Sequence, residues 1–99
     1  MEYEITQQQI DQYRLHLLGE EYAAHTAEKY IRDIRRFAAW LGARPAKKER
    51  AAEWKDSLLK AGYAPATVNS MLSALNGFFH FLGWDMFRVK FLKIQRRMF

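Results

Sequence analysis

Pro65-Ala66-Thr67-Val68-Asn69-Ser70-Met71-Leu72-Ser73-Ala74-Leu75-Asn76-Gly77-Phe78-Phe79-His80-Phe81-Leu82-Gly83 is the stretch that decides the fold. Val68, Met71, Leu72, Leu75, Phe78, Phe79 and Leu82 recur at three- and four-residue steps, the period of a helix with one broad apolar side. Proline suits the first helical position, where its missing N–H has no bond to lose, and glycine suits the end. The segment predicts a helix from Pro65 to Gly83, the most hydrophobic and the central one of the chain.

Three further helices precede it. The first spans Gln7 to Leu18: Thr6 caps it, Gln9 completes a capping box, Ile10, Tyr13 and Leu17 form its stripe, and Gly19 ends it. The second begins after Thr26 and ends at Gly42, with Tyr30, Ile31, Ile34, Phe37, Ala38 and Leu41 on one side. The third lies between Pro45, at its first position, and Gly62, with a weaker stripe of Ala51, Trp54, Leu58 and Ala61. Sliding the chain by 41 residues lays Tyr22-Ala23 on Tyr63-Ala64, Thr26 on Thr67, Phe37 on Phe78 and Gly42 on Gly83. The predicted architecture is all-α: a small four-helix bundle of two stacked helical hairpins, each hiding an apolar face that it could not bury alone.

Composition bounds the function. Ninety-nine residues suffice for one domain, and fifteen of them are Phe, Tyr or Trp, large rings that can fill a small core without metals or disulfides. Cysteine is absent, which excludes disulfide scaffolds, thiolate metal sites and cysteine nucleophiles. The acidic start of the chain lacks a signal-like apolar run, and no stretch approaches the length of a membrane span, so a soluble, cytoplasmic protein is expected. The net charge of +5 is uneven: residues 84–99 carry one acid against five bases. Such an excess favours a polyanionic partner.

Two exposed faces sharpen that expectation. On the second helix, His25, Lys29, Arg32 and Arg36 line up opposite the apolar stripe as a cationic row about 16 Å long, able to follow a phosphate backbone or to serve as a solvated face with local ion pairs. Arg35 sits further round and can join it, while Glu28 and Asp33 flank it and dilute its field. On the fourth helix, Ala66, Asn69, Ser70, Ser73, Asn76, Gly77 and His80 are small or uncharged. Short amides and hydroxyls suit a groove wall in DNA, and they equally suit packing against another protein. Thr67 and Asn69 flank a helix N-terminus that can seat a phosphate. Trp40, Trp54 and Trp84 read as core anchors rather than base-stacking platforms.

Two stretches carry a family resemblance. Thr26-Ala27-Glu28-Lys29-Tyr30-Ile31-Arg32-Asp33-Ile34-Arg35-Arg36-Phe37-Ala38-Ala39-Trp40-Leu41 resembles the first signature helix of the core-binding domain of tyrosine recombinases, or phage integrases. The run from Gly62 through Thr67-Val68-Asn69 to Leu72-Ser73-Ala74-Leu75 and Phe78-Phe79-His80-Phe81-Leu82 is similar to the second. The chain departs from the pattern at Ala23 and Ala64, where many members carry Ser, and at Asn76, where many are basic. The resemblance covers about residues 6 to 83. It implies a SAM-like helical fold and one half of a C-shaped clamp that grips double-stranded DNA opposite a separate catalytic domain, in DNA integration and recombination.

The resemblance also implies catalysis by arginines, a lysine, a His-x-x-Arg pair and a tyrosine nucleophile. None of His16, His25 and His80 has an arginine three residues on. No catalytic residue, metal site or cofactor is therefore expected in these residues. Residues 1–83 are read as the helical domain and 84–99 as a basic, aromatic tail leading toward a catalytic domain. That tail could instead fold back, pair with a second copy, stay disordered, or act as a membrane-surface or target peptide. The DNA-binding set expected is His25, Thr26, Lys29, Arg32, Arg36, Thr67, Asn69, Ser70, Ser73, Arg88, Lys90 and Lys93. Duplex DNA, the recombinase catalytic domain and other protomers are the expected partners, no membrane is, and the domain alone should be a monomer. The alternative is a helical interaction module that docks a catalytic domain or second protomer.

Overall fold

The computed structural model describes residues 3–94; Arg96 and Arg97, counted in the basic tail, lie outside them. Four helices follow in order, α1 (Gln7–Gly19), α2 (Ala24–Leu41), α3 (Lys48–Lys60) and α4 (Pro65–Phe81), then a single 3-10 turn at Asp85–Phe87. Helices α1 and α2 form one hairpin, α3 and α4 the other, and α2 packs on α4 to join them. The all-α expectation of two stacked hairpins is met.

The periodic stripes form the core. Ile10, Tyr13 and Leu17 of α1 meet Ile31 and Ile34 of α2 and Phe78 of α4 in one cluster. Phe37 and Leu41 of α2 meet Trp54 of α3 and Val68, Leu72, Leu75 and Phe79 of α4 in the other. The capping box at Thr6 and Gln9 is present as expected.

Several boundaries differ from the sequence expectation. Helix α2 starts at Ala24, so Thr26 stands at its third position and caps nothing. Helix α4 starts with Pro65 after Ala64, and Thr67 holds the same third position. The repeated Tyr-Ala-x-x-Thr thus marks the first turn of each helix rather than a side-chain cap. Pro45 does not open α3, which starts three residues later at Lys48. The Ala46 N–H between them donates to the Tyr3 carbonyl at 2.8 Å, which keeps that stretch out of the helix. Gly19 remains helical, and the left-handed residue after α1 is Glu21, at φ 66°. Ala61, assigned to the α3 stripe, is exposed at the helix end.

The core continues past Gly83. Phe87 and Val89 are buried among the residues of α3 and α4, with Trp84 and Leu92 packed against them. Tyr3 meets the rings of Trp84 and Phe87 edge-on, so the two ends of the described chain close over one side of the bundle.

At Gly77 in mid-α4 the Tyr13 side chain of α1 comes close: a Cβ built there would lie 2.6 Å from the Tyr13 hydroxyl but 3.8 Å from the ring carbon that bears it. Burial pushes the Tyr13 pKa up to about 12. Gly77→Ala alone is expected to lose about 1 kcal/mol, overpacking outweighing the gain in helix propensity. In a Tyr13→Phe background the clash disappears, and the same change should stabilise by up to about 1 kcal/mol. Urea titration of the four proteins reads the sign reversal.

Candidate nucleic-acid interface

A shallow depression of about 610 Å³ runs between α2 and α4, lined by Lys29, Arg32, Asp33, Arg36, Tyr63, Ala66, Thr67, Ser70 and Met71. It gathers five residues of the expected set, Lys29, Arg32, Arg36, Thr67 and Ser70, from two helices 41 residues apart in the repeat. Helical periodicity puts the cations on one bank, and the docking of α4 brings the hydroxyls to the other.

The cations are not equivalent. Asp33 is only 3% exposed, because it lies on the flank of the buried stripe beside Ile34 and Phe37. Lys29 Nζ sits 2.5 Å from the Asp33 carboxylate and 2.5 Å from Ser70 Oγ, which joins the two helices. A buried carboxylate needs such a partner, so Lys29 neutralises Asp33 and adds little net field. Glu28, the other acid expected to dilute the row, turns to Arg14 on α1 at 3.2 Å.

The uncompensated charge is carried by arginines. Arg32, Arg35 and Arg36 are exposed, and none makes a salt bridge among the described residues. Arg36 donates to the Tyr63 hydroxyl at 3.2 Å, which aims its guanidinium along the depression. Arg35, Arg32 and Arg36 also line an adjoining hollow with Glu28 and Ala39. Tyr63 belongs to the repeat, and its place two residues before α4 gives no sign of the arginine that it holds.

The other expected residues lie elsewhere. His25 is exposed and Thr26 half-buried in the first turn of α2, and neither lines the depression. Ser73 is exposed on the outer side of α4, in a separate hollow with Asn76, Gly77, His80, Arg88 and Phe91. His80 Nδ1 lies 2.8 Å from Asp85 Oδ1, and Arg88 Nη1 is 3.3 Å from the same oxygen. These hydrogen bonds, that of His80 above all, hold the Asp85 carboxyl below its ordinary pKa.

Asn69 is committed within the chain. Its Nδ2 donates to the Leu92 carbonyl at 2.9 Å and its Oδ1 accepts from the Leu92 N–H at 2.7 Å. Asn76, one of the two buried polar residues among those described, makes the same pair with Val89, at 2.9 and 3.0 Å. The uncharged side of α4 is thus explained in part by the chain's own backbone, residues 88–92, lying along it as a strap. Lys55 of α3 donates to the Lys90 carbonyl from the other side at 3.1 Å. Lys90 and Lys93 themselves are exposed.

Residues 10–85 match the family described as phage integrase, N-terminal SAM-like domain. The chain belongs to that family. Neither the search of curated proteins nor that of solved structures finds a match. The matched stretch takes in most of α1 and all of α2, α3 and α4, and so both banks of the depression; the strap lies beyond it. The SAM-like domain is a non-catalytic part of integrases, and the match supports involvement of the chain in integrase and recombinase function. No described helix is long and apolar enough to cross a membrane.

Proposed function

We propose that this SAM-like domain grips duplex DNA through its phosphates, as half of a clamp in a site-specific tyrosine recombinase or integrase. The observation that carries the reading is the trio Arg32, Arg35 and Arg36, exposed on α2 without a salt-bridged carboxylate among the described residues, with Arg32 and Arg36 sharing the depression with Thr67 and Ser70 and Arg35 in the adjoining hollow. Guanidinium groups bind phosphate oxygens in pairs of hydrogen bonds, and hydroxyls at the edge of such a site fix register without reading sequence. Binding of this kind tolerates sequence and weakens steeply with salt. In the full-length protein the catalytic domain and other protomers would complete the grip.

The test is fluorescence anisotropy of the domain with a labelled 30-base-pair duplex over a series of salt concentrations. The logarithm of the binding constant should fall against log salt by about 0.9 per phosphate neutralised. Changing Arg32, Arg35 and Arg36 together to Ala should flatten that slope by about two to three units. Lys29 is left intact, because its loss would unsettle Asp33. A slope unmoved by the triple change, or no binding at low salt, would reject the reading in favour of a module that docks a catalytic domain or second protomer.

A further inference from the structure

We propose that Asn69 and Asn76 are positioning residues, which clasp segment 88–93 to α4 so that Lys90 and Lys93 form a second, fixed cationic bank for the same duplex. The inference rests on the DNA-binding reading and adds to it a segment outside the matched family stretch.

The clasp is a matter of register. Asn69 and Asn76 are seven residues apart on a helix, a rise of about 10.5 Å. Their partners, Leu92 and Val89, are three residues apart, which in extended backbone spans about 10 Å. Helix and strap run in opposite directions, and the two lengths agree, so both amides are satisfied at once. Each uses its donor and its acceptor on one residue, which fixes the strap along α4 and also across it. Val89 then points into the core and Leu92 packs against it, while Lys90 and Lys93 are exposed.

The side of α4 between the arginines of α2 and this strap carries no formal charge. Ala66, Ser73 and Gly77 leave room for a close approach, and among the described residues the cations lining the hollows beside it are Lys29, Arg32 and Arg36 on the α2 side and Arg88 on the strap side. A loose tail could also reach phosphates, but it would lose conformational freedom on doing so. The clasped strap has lost that freedom on folding, so its lysines meet DNA already placed.

The test uses the whole chain. Asn69→Ala opens the outer clasp and leaves Asn76 holding Val89. Hydrogen exchange should then show the Leu92 amide losing protection while Val89 keeps it. Lys90→Ala with Lys93→Ala should flatten the salt slope by up to about two units. Asn69→Ala should weaken DNA binding at low salt three- to tenfold when the lysines are present, and leave it unchanged when they are absent. A Lys90/Lys93 pair that does not move the slope, while the arginine trio does, overturns this proposal alone. So does an Asn69→Ala loss of equal size in both backgrounds, which would mark a purely structural role. Failure of the unaltered chain to bind DNA overturns the underlying reading, and this one with it.

Discussion

A chain cut after Gly83 is expected to lose most of its stability, although every helix longer than a single turn would remain. The cut removes Phe87 and Val89 from the core and Trp84 and Leu92 from its edge, and bares Phe79, whose ring meets those of Trp84 and Phe87. Full burial of each large apolar side chain is worth about 1.5–3 kcal/mol. The cut also removes both backbone partners of Asn76, whose amide then turns to water instead. A loss of about 5 kcal/mol or more compares with the about 5–15 kcal/mol that holds a typical domain folded. Urea denaturation followed by tryptophan fluorescence and by far-ultraviolet circular dichroism decides the point. An unchanged cooperative transition in the shortened chain would make the strap an appendage.

Lys29→Met should be the most destabilising change on the outward side of α2. It leaves the carboxylate of Asp33, which is 4% exposed in its side chain, without its cation. Breaking a buried pair from one side costs about 3–5 kcal/mol, and because the Lys29 side chain is one-third exposed, water softens the loss to about 2–3 kcal/mol. Lys29→Met combined with Asp33→Leu should recover most of it, since the charge needing compensation is gone. Arg32→Ala, on a solvent-facing neighbour, should stay within about 0.5 kcal/mol of the starting protein. Thermal melts of the four proteins give the comparison. A Lys29→Met protein as stable as the parent would mean that water already solvates Asp33.

That contrast marks the limit of what the sequence disclosed. The three- and four-residue periodicity of α1, α2 and α4 located the core, because burial on a helix follows from angle alone. Thr6 and Gln9 announced a helix start, because the capping box is local. Thr26 misled because the same residue type stands both at a cap and inside a first turn, and only the neighbouring carbonyl bonds tell them apart. Lys29 and Asp33 were legible as a helical pair at four-residue spacing, but the burial of Asp33 depends on where α4 docks. The partners of Asn76 and Asn69 lie 13 and 23 residues away, through a segment without regular period, so no local pattern could have named them.

The two amide clasps also govern how the domain would answer a pull on its C-terminal end. Tension entering along the strap meets the Leu92 clasp first, then that of Val89, then the wedged ring of Phe87, before it reaches the end of α4. Each fastening lies a few residues nearer the core than the last. The fold would yield there in short steps, letting out a few residues of slack at a time while the helices that face the depression keep their places.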